Sequence, residues 1–145
     1  MGAEARRLEQ HFVYNALNTI AALIRSDPGR ARELLISFAD LSRAADQVGG
    51  STLGHELAAV HGYLQLEQAR FGTRLRVAVD VAPALHPIPV TPMQVLAAVR
   101  EAVQRDIEPR PEGGLLTVAA QPVDGGCEVR VTGGSATPRT IRLPS

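Results

Sequence analysis

The sequence contains no lysine and no tryptophan, and its single cysteine is Cys127. One cysteine excludes an internal disulfide and fits a reducing compartment. Arginine supplies all 15 basic residues, a bias that we attribute to nucleotide composition, and 15 acidic residues bring the formal net charge to zero. No overall field therefore attracts nucleic acid or an anionic membrane. With no apolar run of membrane-spanning length and no signal-peptide pattern, we expect a soluble cytoplasmic protein with neither of those partners.

Asparagine is also scarce, and both copies lie in one short stretch near the start of the chain. Read at 3.6 residues per turn, this stretch has one apolar side, formed by Leu8, Phe12, Ala16, Ile20, Leu23 and Ile24. The opposite side carries His11, Asn15 and Asn18, and Arg7 lies one turn before the histidine. Imidazole can act as a nucleophile, guanidinium can balance negative charge, and a carboxamide can hydrogen-bond oxygen. These side chains together could carry a phosphoryl group on the histidine. A single histidine on the polar face of a helix is, however, more often only a solvated side chain.

Residues 10–20 read QHFVYNALNTI. This stretch resembles the phosphoacceptor motif of the LytS/YehU class of sensor histidine kinases, and the likeness continues through residues 27–35, 52–57 and 63–75. The blocks keep the family's order and spacing over about residues 5–80. The resemblance implies that His11 is the phosphoacceptor, supported by Arg7, Asn15 and Asn18. One departure is Gln10, which stands where the family has proline.

Two amphipathic helices are predicted in the first 48 residues, which we interpret as a dimerisation and phosphoacceptor unit. The first runs from about residue 3 to 25. Asp27 is a suitable N-cap for the second, with Pro28 at its first position, where a missing N–H costs nothing. A helical hairpin cannot bury both of its apolar stripes alone, so we expect a homodimer with a four-helix bundle. The alternative is that the stripes pack on the C-terminal part of the same chain.

Residues 52–145 are predicted to form a second unit in which helices cover one face of a mostly antiparallel sheet. The expected order is a helix over 52–71, a strand over 74–81, a helix over 93–106, a hairpin of 115–120 with 127–132, and a strand over 140–143. The fold class is therefore α+β. This unit resembles the GHKL-type ATPase domain of histidine kinases, gyrases and related proteins.

The ligands that this family uses for Mg-ATP are missing from the sequence. The family pattern L-V-E-N-A-x-x-H-G aligns with residues 98–106, and its Glu, Asn, His and Gly positions are occupied by Arg100, Glu101, Arg105 and Asp106. Glu101 alone could still bind magnesium, but the adenine-reading D-x-G-x-G segment is replaced by GGSAT at 133–137. Realignment cannot supply the asparagine, because none follows Asn18. We expect a degenerate domain that holds neither ATP nor a metal ion.

Two functions are consistent with an intact acceptor motif beside an eroded ATPase-like half. The first is a histidine phosphotransferase, similar to the sporulation-type and ChpT-type proteins, in which His11 exchanges a phosphoryl group with response-regulator receiver domains. The receiver would then bring the Mg²⁺. The alternative is a non-catalytic pseudo-histidine-kinase that binds or sequesters a regulator or a kinase. Outside the acceptor motif, Glu67 and Arg70 are predicted to be an ordinary surface pair.

Overall fold

A computed structural model of the chain describes residues 8–46 and 49–145 and contains four α-helices and six strands in them. The helices are α1 (Gln10–Ser26), α2 (Pro28–Ala45), α3 (Leu53–Phe71) and α4 (Gln94–Ala102). The strands are β1 (Ser51–Thr52), β2 (Leu75–Asp80), β3 (Pro89–Val90), β4 (Gly114–Val123), β5 (Gly126–Gly133) and β6 (Arg139–Pro144). The α+β class predicted from the sequence is confirmed.

The predicted starts of α2 and α3 are confirmed by their capping bonds, whereas Leu8 and Glu9, which the first helix was predicted to include, lie outside α1. The Asp27 side chain accepts a hydrogen bond from the Arg30 amide at 3.1 Å, and Pro28 opens α2. Thr52 caps α3 by accepting a bond from the His55 amide at 3.3 Å. Such caps satisfy backbone donors that have no partner within their own helix.

The main sheet has the strand order β2-β4-β5-β6. Its β4–β5 and β5–β6 pairs are antiparallel, whereas β2 runs parallel to β4. A parallel pair requires a crossover connection, and this one contains α4. Strands β1 and β3 form a separate two-stranded antiparallel sheet that the sequence did not lead us to expect.

The hairpin of α1 and α2 packs against α3, so part of each apolar stripe is buried within the chain itself. Residues from both units, such as Ile20, Leu34, Tyr63 and Val99, belong to one hydrophobic core. Other apolar side chains of the hairpin remain exposed, with relative accessibilities between 43% and 58%. These are Tyr14, Leu17, Ile24, Leu35 and Ile36. Ile24 thus departs from the buried face predicted for it.

Candidate functional site

His11 lies in the first turns of α1 with its side chain open to solvent. Phe12, the next residue, is buried because successive side chains of a helix are rotated by about 100°. Asn15 is half-buried and Asn18 is exposed, so the predicted polar face exists as a surface of α1. Arg7, the fourth predicted site residue, lies outside the described residues.

Two contacts hold the first turns of α1 against the rest of the chain. The rings of Phe12 and Tyr63 of α3 are tilted by 38° with their centroids 5.2 Å apart, within the range of favourable aromatic pairs. The side-chain amide of Gln104 donates a hydrogen bond of 2.9 Å to the Glu9 carboxylate. Glu9 precedes His11 by two residues and Phe12 follows it directly, so the chain contacts the C-terminal unit on both sides of His11 in sequence.

A charged network continues from Tyr63 along α3. The Tyr63 hydroxyl donates to Glu67 at 3.1 Å, and burial raises the pKa of this hydroxyl above its ordinary value. Arg70 donates two hydrogen bonds of 3.1 Å to the Glu67 carboxylate. Glu67 is only 3% exposed, so the prediction of an ordinary surface pair with Arg70 was wrong. The two hydrogen bonds from Arg70 and the one from the Tyr63 hydroxyl compensate the cost of burying the Glu67 carboxylate.

The four positions that align with the family's nucleotide-binding pattern, Arg100, Glu101, Arg105 and Asp106, lie at the end of α4 and in the π-helical turn over Val103–Ile107 that continues it. Arg139 of β6 contacts two of them, with Nη1 2.7 Å from Asp106 and Nε 3.5 Å from Glu101. Arg105 forms a second pair with Glu101 at 3.5 Å. Gly133 lies directly against this turn, since an added Cβ would be 2.7 Å from the Cβ of Asp106. The acidic groups of α4 are thus already paired with guanidinium groups of the same chain.

Glu56 of α3 closes the opposite end of α4. One carboxylate oxygen accepts from the Met93 amide at 3.1 Å, and the other accepts from the amides of Val95 and Leu96 at 3.0 Å each. The residue is 4% exposed. A negative charge at a helix N-terminus is favourable because it meets free amides and the positive end of the helix dipole. Glu56 therefore links α3 to α4.

Met93 has the left-handed backbone conformation, with φ of 71° and ψ of 0°. Together with the 3.1 Å bond from the Gln94 amide to the Thr91 carbonyl, these angles define a type II turn that has Pro92 at its second position. Glycine usually occupies the third position of this turn. Methionine is retained at this point with its side chain buried in the core and its amide bound to Glu56.

The stability of the chain should depend on pH through Glu56. Burial raises the pKa of the folded carboxyl above its ordinary 4.5, despite three backbone bonds that lower it. A group with a raised folded pKa contributes stability below the unfolded pKa and loses that contribution as pH rises through the folded value. We expect the difference in unfolding free energy between the native chain and Glu56→Gln to decrease as pH increases from 4.5. Denaturant titrations at several pH values measure it, and a difference that grows with pH would contradict this prediction.

The other histidines and the cysteine are not part of a metal-binding cluster in the described residues. Within residues 8–46 and 49–145, no group of three or more His, Cys, Asp or Glu side chains is placed to hold a metal ion. His55 and His61 are exposed on α3, and Cys127 is buried in β5 as a packed side chain.

The sequence reasoning missed Glu56 and the role of Glu67. Both signals were present, because each acidic residue interrupts the apolar stripe of α3. Glu56 follows Leu53 by three residues, and Glu67 follows Tyr63 by four, so each lies on the core-facing side. A carboxylate on such a stripe indicates a buried polar contact.

A family model and several known proteins are similar in sequence to this chain. The family model described as histidine kinase matches residues 3–75. The sensor protein LytS of Staphylococcus saprophyticus is 33% identical over 129 residues, which are 87% of this chain and 22% of that protein. LytS of Enterococcus faecalis is 34% identical over 118 residues, or 79% of this chain and 20% of its own length. The sensor histidine kinase/phosphatase LytS of Staphylococcus aureus strain Mu50 is 33% identical over 116 residues, with 78% and 20% covered.

These relatives correct the expected location. The chain spans only about a fifth of their length, and they are membrane-associated sensor kinases, so the prediction of a cytoplasmic protein was wrong. In the described part of the chain, no helix has both the length and the apolar character to cross a membrane.

The family match covers half of the chain and includes His11, both helices of the hairpin and α3. The LytS relatives extend the likeness over most of the remainder. The chain therefore belongs to the histidine kinase family as a LytS-class core, and it is a protein of two-component signalling.

Proposed function

We propose that this chain transfers phosphoryl groups between His11 and the receiver domains of response regulators without binding ATP. The observation that carries the proposal is the contrast between the two halves of the molecule. His11 is exposed within an acceptor motif that is complete except for Gln10, whereas Glu101 and Asp106, at two of the aligned nucleotide positions, are held in ion pairs with Arg139.

The reaction requires little from the protein besides positioning. A nitrogen of His11 attacks the phosphorus of an aspartyl phosphate on the receiver. The P–N bond forms as the P–O bond to the aspartate breaks, the carboxylate leaves, and the imidazole proton passes to solvent. Both phosphorylated species are of similar energy, so the transfer is reversible. Holding the reacting groups in place and stabilising charge account for the catalysis, and Asn15 and Asn18 are the polar side chains that α1 offers beside His11.

Loss of ATP binding is supported by the chemistry at the end of α4. Magnesium requires free oxygen ligands, and phosphates require a close approach of backbone or cationic groups. Arg139 neutralises Asp106 with a 2.7 Å ion pair that is largely buried, with 23% and 16% of the two side chains exposed. A nucleotide bound at this position would have to displace that pair.

We also infer that the chain forms a homodimer through α1 and α2. The five exposed apolar side chains of the hairpin lie on both helices, and a group of exposed large apolar side chains is typical of an interaction site. Pairing with a second copy would bury them in a four-helix bundle. Sedimentation velocity measures the mass, and a monomer at micromolar concentration would contradict this inference.

The proposed function is tested by determining which donor, a phosphorylated receiver or ATP, labels the chain. The native chain is incubated in one arm with a ³²P-phosphorylated receiver domain and in another with [γ-³²P]ATP, both with Mg²⁺. We expect acid-labile label on the chain from the receiver and none from ATP. Label taken directly from ATP would show that the chain is an autokinase. No label from either donor would favour the non-catalytic regulator.

A further inference from the structure

The two edge strands of the main sheet, β2 and β6, differ in what they offer to another chain. β6 carries the cations Arg139 and Arg142 and ends at Pro144, and like charges and proline both discourage pairing at an edge. β2 contains no proline, and its outer edge has no partner strand among the described residues. An open edge of this kind is a template for pairing with a further strand.

The sequence of β2 is complementary to itself when two copies run antiparallel. It reads LRVAVD and begins at Leu75. If a two-fold axis passes beside Ala78, Arg76 lies opposite Asp80 of the second copy, and this charge pair occurs twice by symmetry. The two valines of the strand are then also opposite each other. Opposite charges directly across two strands are favourable, and like charges are unfavourable.

The two charges that this register would join are exposed and unused within the chain. Neither Arg76 nor Asp80 forms an ion pair inside residues 8–46 and 49–145. Charged side chains on an edge strand normally discourage pairing. Here the opposite signs, each two positions from Ala78, have the reverse effect for a copy of this chain. The charge pattern therefore selects a second copy as the occupant of this edge.

Apolar surface lies uncovered on the other face of β2. Val77 and Val79 alternate with the charged positions, and together with side chains of α3, such as Leu57 and Leu64, they line a groove. The groove is bounded by α3 and β2 alone, and Val79 is 50% exposed. A second β2 strand would add its own valines on the same face and extend the cover over this groove.

We propose that two copies of this chain associate through antiparallel pairing of their β2 strands about Ala78, which joins two four-stranded sheets into one. The contact is isologous, because the same edge serves both copies. It is separate from the exposed hairpin side chains, none of which lines the groove. It also requires no phosphoryl group on His11, so it is independent of the proposed function.

A cysteine at the centre of the register tests the contact. Opposite residues of antiparallel strands have Cα atoms about 4.5 to 5.5 Å apart, which a disulfide can span. Ala78→Cys should therefore form a disulfide-linked dimer under mild oxidation, detected by non-reducing electrophoresis and by mass spectrometry of the joined peptides. Cys127 is buried and keeps the background low.

The matched control is Ala119→Cys. Ala119 is also an exposed alanine, and it pairs with Asp80 on the neighbouring strand β4. In the proposed dimer its two copies would be three strand spacings apart, about 14 Å, which is too far for a disulfide. Ala119→Cys should therefore remain monomeric on the non-reducing gel.

Charge reversal in the Ala78→Cys chain tests the register. Arg76→Asp or Asp80→Arg alone turns both cross-strand charge pairs into like-charge pairs. We expect the initial rate of cross-linking to decrease about four-fold or more, because two favourable pairs are replaced by two repulsive ones. An equimolar mixture of the two reversed chains places opposite charges across the strands again and should restore most of the rate. High salt should reduce these differences by screening.

Two results would contradict the proposal. If Ala78→Cys cross-links no more than Ala119→Cys, the β2 edges do not pair with each other, and the edge is left to a strand of another protein. A dimer held only by the hairpin gives this result, so the proposed function is unaffected by it. If position 78 cross-links at the same rate in both reversed chains and in their mixture, the copies meet in another register or by collision. Circular dichroism verifies that each variant is folded.

Discussion

Replacing His11 with alanine is expected to abolish the transfer of label from a phosphorylated receiver to this chain. No other residue of the acceptor motif offers a nucleophilic nitrogen, and covalent transfer has no substitute for it. The side chain is exposed, so the unfolding free energy should change by less than about 0.5 kcal/mol. Autoradiography after acid and alkaline treatment measures the labelled histidine.

His61→Ala is the matched control, since His61 is likewise an exposed histidine on a helix. It should accept label at the native rate. If His11→Ala still accepts label and His61→Ala does not, the acceptor is His61, and the proposed transfer through His11 is contradicted.

Replacing Glu56 with alanine is expected to lower the unfolding free energy by about 3 to 5 kcal/mol. The change leaves three buried backbone amides of the α4 region without acceptors, and each unmade bond costs roughly 1 to 3 kcal/mol, reduced where water enters the new cavity. The Met93 turn also loses the acceptor that holds its left-handed backbone. Urea denaturation followed by circular dichroism measures the loss.

Glu33→Ala provides the comparison for Glu56→Ala. Glu33 is also a helical glutamate, but its side chain is 70% exposed and its ion pair with Arg30 is long, at 3.5 Å. Its removal should change stability by less than about 0.5 kcal/mol. Equal effects of the two substitutions would mean that the Glu56 bonds add nothing to the stability of the folded chain.

Much of the secondary structure could be predicted from local pattern and capping chemistry. Asp27 and Thr52 begin their helices as the sequence indicated, and β5 lies where alternation of apolar residues placed it. Local signals suffice for such elements because their bonds join residues close in sequence.

Contacts between residues far apart in sequence could not be predicted from local pattern. The β1–β3 pair joins two strands of two residues each, too short to show a period. The bonds from Glu56 to α4 cross almost 40 positions, and the Gln104–Glu9 bond crosses 95. The exposure of His11 followed from helical periodicity, whereas the contacts of Glu9 and Phe12 with Gln104 and Tyr63 are visible only in the tertiary structure.

The parallel pairing of β2 with β4 has a consequence for the order in which the chain assembles. Thirty-three residues separate Asp80 from Gly114, and closing such a loop costs about 3 kcal/mol of chain entropy beyond a constant. The hairpin of β4 and β5 closes through two residues and bears almost none of this cost. The late step of folding is therefore the docking of β2 with its crossover, and pulse-labelled amide exchange should show β4 and β5 protected before β2.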